Sequence, residues 1–84
     1  MIVKVQHFKD GFVGVYEEEI YSNVDKIFRY RDANEDIFFD LIINGQDTRE
    51  TIPVTHTDVE SCHVSLVGGV WLMNNEGKTI ERLI

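Results

Sequence analysis

The chain has 84 residues, of which 43% are hydrophobic and 27% charged, and this is the size and composition of one globular domain over residues 1–84. The 15 acidic residues outnumber the 8 Lys and Arg and give a formal net charge of −7, which disfavours direct binding to nucleic acid or to an anionic membrane. The single cysteine, Cys62, excludes an internal disulfide and fits a reducing compartment.

Apolar runs in the chain are short. The longest, residues 41–43 and 70–73, fall well below the roughly 20 residues that a membrane-spanning helix needs. Lys4, His7 and Lys9 interrupt the N-terminal segment, so it lacks the apolar core of a signal peptide. We therefore expect a cytoplasmic protein.

Hydrophobic and polar residues alternate along most of the chain, and turn residues interrupt the alternation at close intervals. A period of two is typical of β-strands, and no stretch has the long repeat of an amphipathic helix. The pattern predicts an all-β, mainly antiparallel fold, a small barrel or sandwich of about seven or eight short strands. At most one short helical turn is expected.

The first predicted hairpin turns at residues 9–11, Lys-Asp-Gly, which suit a type I turn followed by a glycine in the left-handed conformation. This register places Val5 opposite Val15 and Phe8 opposite Phe12. We prefer it to a tighter turn because it gathers the valines of both strands on one face.

A third segment covers residues 25–31, and the polar residues 32–35 form the next turn. A short helix over Val24–Arg31 is the alternative, because Val24, Ile27 and Phe28 also fall at helical spacing. The fourth segment follows over residues 36–43.

Asn44 and Gly45 form the strongest hairpin signal, since this dipeptide is preferred in two-residue type I′ turns. The register that follows places Asp40 opposite Arg49, an opposite-charge pair of the kind that stabilises a sheet. The same register pairs Phe38 with Thr51 and Ile37 with Ile52.

The fifth segment reaches Pro53, which cannot donate a ladder hydrogen bond. We therefore expect an edge strand, or a strand that ends there. Residues 57–60 have the spacing of a capping box, which allows one short helical turn.

Strand character returns over residues 63–73, where Gly68 and Gly69 mark either a turn or a bend in one long strand. Residues 74–77 form another turn, and residues 78–83 form the last segment.

Four potential metal ligands alternate along one stretch: His56, Asp58, Glu60 and Cys62. In a strand they would share one face, but zinc sites usually combine CxxC or HxxxH spacing with a distant second pair, and neither spacing occurs. We expect no metal and no cofactor, and these four residues are only weak candidates. A polar loop with Cys62 as a small buried side chain is the simpler interpretation.

Motifs of common catalytic sites are absent from the sequence, including the G-x-S-x-G elbow, the P-loop and G-x-G-x-x-G. Cys62 and His63 are neighbours, so in a strand they point to opposite faces and cannot form a nucleophile–base pair. We predict no catalytic residues and no enzyme activity.

The densest run of charge is Glu17, Glu18 and Glu19. Such a run on an edge strand prevents aggregation between sheets. It also predicts an acidic face that binds another protein, with a basic partner favoured. The predicted partner-binding residues are Glu17, Glu18, Glu19, Tyr21, Asp32, Glu35 and Asp36.

Phe38 and Phe39 are consecutive, as are Ile42 and Ile43, so each face of the fourth segment carries apolar side chains. Both faces need cover, either from another layer of the fold or from a second copy of the chain. A homodimer is therefore an expectation.

Several short pieces are shared with a known class of proteins: Phe8-Lys9-Asp10-Gly11, Asn23-Val24, Asn44-Gly45, Ile52-Pro53-Val54 and Val59-Glu60-Ser61. Through these pieces, residues 2–66 resemble small acidic β-rich accessory proteins of phages and prophages of Gram-positive bacteria. The resemblance implies a non-enzymatic protein that binds a host or phage macromolecule, and it assigns a role to no particular residue.

The combined prediction is a small protein-binding module, an accessory or inhibitor protein that covers a partner's surface with an acidic and aromatic face. The alternative is a small-molecule or nucleotide-binding β-protein of the sponge type, with a pocket between subunits.

Overall fold

The computed structural model describes residues 1–8 and 16–84, and every regular element in these ranges is a β-strand. The all-β, antiparallel prediction is therefore confirmed. Val24–Arg31 is a strand and not the alternative helix, and the residues after Thr57 form a turn between two strands and not a helical turn. No helix in the described ranges could span a membrane. The strands are β1 Ile2–Phe8, β2 Tyr16–Tyr21, β3 Val24–Arg31, β4 Ile37–Ile43, β5 Thr48–Pro53, β6 Thr55–Thr57, β7 His63–Ser65, β8 Val67–Met73 and β9 Thr79–Arg82.

The chain divides into two compact units, which are described separately. The first unit comprises Met1–Val24 and Val67–Ile84 and holds a four-stranded sheet in the order β2-β1-β8-β9. The second unit, Asp25–Leu66, holds a three-stranded sheet, β3-β4-β5, and the two-stranded β6-β7. Each of these sheets, as far as it is described, ends in two edge strands, so none closes into a barrel.

The predicted register of the first hairpin is wrong. Val5 lies opposite Glu19 instead of Val15, a displacement of four residues along β2. The predicted turn at residues 9–11 lies outside the described residues. Because four is an even number, the displacement leaves the side chains of β1 and β2 on their predicted faces, and Val3 and Val5 are both fully buried.

The same displacement places Phe8 opposite Tyr16 instead of Phe12. The two ring centroids are 5.3 Å apart, a favourable distance for a cross-strand aromatic pair. Both registers place a second ring opposite Phe8, and the observed one also places His7 opposite Glu17.

The second hairpin also differs from its prediction, because residues 44–47, and not Asn44 and Gly45 alone, connect β4 to β5. Asn44, Gly45 and Gln46 all have positive φ, at 52°, 65° and 83°. Asp25 stabilises this connection, since its Oδ2 accepts a hydrogen bond of 2.5 Å from the Gly45 amide.

The longer connection shifts the β4–β5 register by two residues. Asp40 lies opposite Thr51, and Arg49 reaches Asp40 along the diagonal instead of from the directly facing position. The predicted ion pair is present although its register is wrong. The observed register pairs Phe38 with Pro53 and Phe39 with Ile52, in place of the predicted Phe38–Thr51 and Ile37–Ile52 pairs.

Three hairpins have the same type of five-residue turn. The three turns begin with Asp32, Asp58 and Asn74. In each, the first side chain accepts hydrogen bonds of 2.9–3.0 Å from the third and fifth backbone amides. The first carbonyl accepts a hydrogen bond from the fourth amide at 3.0 Å. The predicted turns at 32–35 and 74–77 are therefore confirmed, and the capping-box sequence at 57–60 belongs to a third turn of the same kind.

The fourth residue of each of these turns has positive φ: 64° at Glu35, 62° at Ser61 and 84° at Gly77. Only the last is a glycine. The left-handed conformation at Ser61 is what reverses the chain after Asp58, so a helix does not follow the capping-box sequence.

Gly68 and Gly69 lie inside β8, so they form a bend and not a turn. The register between β1 and β8 shifts at this point, as expected for a β-bulge. Residues 63–73 are nevertheless not one strand, because Leu66 separates β7 from β8. This division and the short β6 raise the count in the described ranges to nine strands. Pro53 ends β5 at a sheet edge, as predicted.

Burial in β4 extends to both faces. Asp40 and Leu41 are consecutive and so point to opposite faces, yet they are 3% and 0% exposed. A single chain therefore provides the two-sided cover of this strand, and the cover does not require a second copy. The buried apolar residues of the second unit are Phe39, Leu41, Ile52 and Val54.

We predict that Ser61→Gly stabilises the protein by about 0.5–1 kcal/mol, because glycine relieves the left-handed strain at a moderate entropic cost. In contrast, Gly77→Ala should destabilise the protein by about 1 kcal/mol. An alanine side chain would meet no other atom there, so the cost comes from the positive φ of this position. Urea unfolding at constant pH measures both changes. A Ser61→Gly variant no more stable than the wild type would contradict the observed turn geometry.

Candidate functional site

The acidic run Glu17–Glu19 lies on β2, an edge strand of the first unit. Every residue of β2 except Tyr21 is exposed, and the apolar side chains of Tyr16 and Ile20 are 46% and 53% exposed. Alternation places Glu18 on the same face as Tyr16 and Ile20. We call residues 16–20 the β2 surface.

Two carboxylates of the β2 surface make ion pairs with β1. Glu18 Oε1 lies 3.8 Å from Lys4 Nζ, and Glu19 Oε2 lies 2.9 Å from His7 Nε2. An ionised carboxylate only accepts hydrogen bonds, so His7 carries a proton on Nε2 in this contact. These exposed pairs contribute little to stability but fix the direction of the two acidic side chains.

Trp71 lies in the same sheet, on the face that carries Ile20. Lys4 pairs with both Ile20 and Trp71, and Trp71 pairs in turn with Arg82. Lys4 Nζ lies 4.8 Å from the Trp71 ring centroid and Arg82 Cζ lies 5.2 Å from it, so two cations contact one ring. A Cβ at Gly69 would collide with this ring, which explains the glycine there.

The other predicted partner-binding residues, Asp32, Glu35 and Asp36, lie in the second unit. Asp32 stabilises its turn through Oδ1, and Glu35 lies 3.6 Å from Arg31 in an exposed ion pair. Asp36 is only 5% exposed, which corrects the expectation that it forms part of an exposed acidic face.

Asp36 is hydrogen-bonded by three side chains of the β6–β7 hairpin. Its oxygens accept hydrogen bonds from Thr55 Oγ1 at 3.2 Å, from Thr57 Oγ1 at 2.9 and 3.0 Å, and from His63 Nδ1 at 3.1 Å. The Thr57 amide also donates, at 3.1 Å. The carboxylate therefore holds the hairpin against the start of β4 and fixes the proton of His63 on Nδ1.

Burial raises the pKa of Asp36, but hydrogen bonds from Thr57, His63 and Thr55 outweigh this effect, so the pKa lies below its ordinary value. The physical cause is that all of these groups donate to the carboxylate oxygens and so stabilise the ionised form.

Asp40, further along β4, has a similar environment. Thr51 Oγ1 donates to Oδ1 at 2.8 Å, and Arg49 donates to Oδ2 through Nε at 2.9 Å and through a second guanidinium nitrogen. Burial raises the pKa of Asp40, whereas Thr51, Arg49 and the Tyr30 hydroxyl together lower it below its ordinary value. The Tyr30 ring also stacks on Phe38, with centroids 5.4 Å apart.

The turn of residues 58–62 brings together three of the four weak metal candidates. Ligand atoms of Asp58, Glu60 and Cys62 lie within 4.8 Å of one another, but His56 is not in this group. The turn, and not the strand considered from sequence, creates this proximity. Asp58 Oδ1 already accepts two backbone hydrogen bonds of the turn, and Cys62 is exposed, contrary to its interpretation as a buried side chain.

Sequence reasoning did not identify Asp36, directly before β4, and Asp40, within it, as a pair of buried carboxylates. The available signal was their position: both are acidic residues in an otherwise apolar segment, four residues apart, and so on one face. Threonines and a histidine in the following segments supply the matching donors.

Comparisons of the chain with known protein families, with characterised proteins and with solved structures give no significant match. The resemblance to phage accessory proteins therefore stays a prediction.

We predict that Asp36→Asn is less stable than the wild type at about pH 7. On acidification the variant should lose less of its stability than the wild type does. The folded pKa of Asp36 is lowered, so its contribution is complete above the ordinary pKa of about 3.9 and is lost as the pH falls through the folded pKa. Urea unfolding between about pH 7 and pH 3 measures this dependence.

The matched control is Asp47→Asn, at an exposed position of the 44–47 connection. It should retain the acid sensitivity of the wild type. An Asp36→Asn variant with the full wild-type pH dependence would show that another group is responsible.

Proposed function

We propose that the protein is a small, non-enzymatic protein-binding module and that the β2 surface binds a basic partner. The observation that carries this proposal is the exposure of Tyr16 and Ile20 beside Glu17–Glu19 on an unpaired sheet edge of the described chain. Exposed apolar side chains next to charge of one sign are typical of interaction sites.

Each part of the β2 surface has a separate physical role. Tyr16 and Ile20 are about half exposed, and their complete burial would contribute on the order of 1 kcal/mol each. Glu17, Glu18 and Glu19 would attract a positively charged surface and accelerate its association. The unpaired edge of β2 offers backbone groups to an extended segment of the partner.

The net charge of −7 supports a basic protein partner and disfavours nucleic acid and membrane surfaces. The mode of action would be occlusion of the partner's surface in the cytoplasm, as for an inhibitor or a phage accessory protein.

We predict that replacing Glu17, Glu18 and Glu19 with glutamine weakens partner binding about tenfold or more and flattens its salt dependence. Protein immobilised by one terminus would capture the partner from a lysate of the source organism. Affinity of the purified partner is then measured between about 50 and 500 mM salt.

The matched control replaces Glu50, Glu76 and Glu81, which are exposed and outside β2. Both triple variants change the formal net charge from −7 to −4, so they differ only in where the charge is removed. Equal losses in the two variants, or an affinity that does not depend on salt, would contradict the proposal.

A second variant tests the apolar part of the β2 surface. Ile20→Thr keeps a β-branched side chain and should weaken binding about threefold to tenfold at every salt concentration, because it removes buried apolar area and no charge. Unchanged affinity would exclude Ile20 from the interface. Thermal stabilisation by a nucleotide or cyclic dinucleotide, with no protein captured, would favour the small-molecule alternative instead.

A further inference from the structure

Strand β3 is a long and exposed sheet edge. It has eight residues, of which only Val24 and Ile27 are not exposed, and it is the outer strand of the β3-β4-β5 sheet. No other described strand pairs with its outer edge. Phe28 and Tyr30 on this strand remain 49% and 40% exposed.

The hairpin between β3 and β4 determines which backbone groups of β3 point outward. The Asp32 amide donates a 3.1 Å hydrogen bond to the Asp36 carbonyl, so the backbone groups of Asp32 point toward the β4 side. In an antiparallel strand, the N–H and C=O of one residue point to the same side of the strand, and those of the next residue point to the other side. The residues with outward backbone groups are therefore Asp25, Ile27, Arg29 and Arg31.

Other sheet edges of the described chain are poorly suited to pairing with a copy of themselves. Antiparallel pairing of β2 with a second β2 would place glutamates opposite glutamates. Strand β5 contains Pro53, and β9 has only four residues. By contrast, β3 is long, has no proline and carries both signs of charge.

We propose that β3 pairs antiparallel with β3 of a second copy, across a two-fold axis at Phe28, and that this contact forms a homodimer. The two three-stranded sheets would then join into one continuous sheet. The cross-axis pairs are Asp25 with Arg31, Lys26 with Tyr30, Ile27 with Arg29, and Phe28 with its own copy.

Charge complementarity selects this register. It places the acidic residue at one end of β3 opposite the basic residue at the other end, and symmetry forms this pair twice. A shift by two residues in one direction places Arg29 opposite Arg29, which is repulsive. The opposite shift pairs Asp25 with Arg29 but leaves Arg31 beyond the end of the partner strand.

Exposed rings add to the contact. The Phe28 side chains meet at the axis, and Lys26 of one copy lies across from Tyr30 of the other, where a cation–π contact forms. Tyr30 is held in place by stacking on Phe38. This ring of the interface is thus fixed before association. It does not depend on the β2 surface, which belongs to the first unit.

Charge reversal tests the proposal. In Asp25→Arg or Arg31→Asp, like charges face each other twice, so the dimer dissociation constant should rise about tenfold or more. A mixture of the two variants restores opposite charges at both pairs and should form a heterodimer. Sedimentation equilibrium of each variant and of the mixture gives the dissociation constants, and circular dichroism checks that each variant remains folded.

The competing contacts of these residues are weak or local. Arg31 pairs with Glu35 at 3.6 Å on the exposed surface, and Asp25 accepts a hydrogen bond from Gly45 with only one of its oxygens. Because Asp25→Arg loses that turn contact, Arg31→Asp is the cleaner of the two single variants. A mixture that remains monomeric while both variants are folded would overturn the proposed register.

A backbone variant tests the edge itself. Arg29→Pro removes an outward amide without removing a hydrogen bond to β4, so the protein should remain folded but become monomeric. The matched control, Arg29→Thr, removes the same side chain but keeps the amide, and it should remain dimeric. Overturning results are a monomeric wild type at concentrations up to about 1 mM, or a dimer that Arg29→Pro leaves intact.

Discussion

The second unit depends on the hydrogen bonding of two buried carboxylates, those of Asp36 and Asp40. An ionised carboxylate out of water is costly unless donors surround it, and here the donors come from all the neighbouring strands. Thr55, Thr57 and His63 of β6 and β7 donate to Asp36, while Arg49 and Thr51 of β5 donate to Asp40. The Tyr30 hydroxyl on β3 also lowers the pKa of Asp40, so the interactions of the two carboxylates reach every other strand of the unit.

The same interaction organises the surface that we assign to self-association. The Tyr30 ring stacks on Phe38 and its hydroxyl lowers the pKa of Asp40, so one exposed ring of β3 is fixed in position. Whether a sheet edge is open to pairing then depends on the charges it carries. The glutamates of β2 repel a second β2 but attract a basic partner, whereas the mixed charges of β3 match those of a second β3. One chain thus has two edges with different predicted partners.

Much of the fold could be predicted from sequence because alternation and turn residues are local signals. They identified most strands, the side chains on each face and the turns at residues 32–35 and 74–77. Registers could not be predicted, since loop length depends on pairing further along the strands, which moved Val5 and Asp40 to other partners. The burial of Asp36 was missed for a related reason: an acidic residue after a polar turn is usually exposed, and its donors lie 19–27 residues further along the chain.

The most direct test of this account is the pH titration of the two carboxyl groups in the intact protein, followed through their side-chain ¹³C chemical shifts. We expect Asp36 and Asp40 both to titrate below the ordinary aspartate pKa of about 3.9, because donors from neighbouring strands stabilise the charged forms. A pKa at or above the ordinary value for either residue would contradict it. Burial would then outweigh hydrogen bonding, and these carboxylates would not hold the strands of the second unit together.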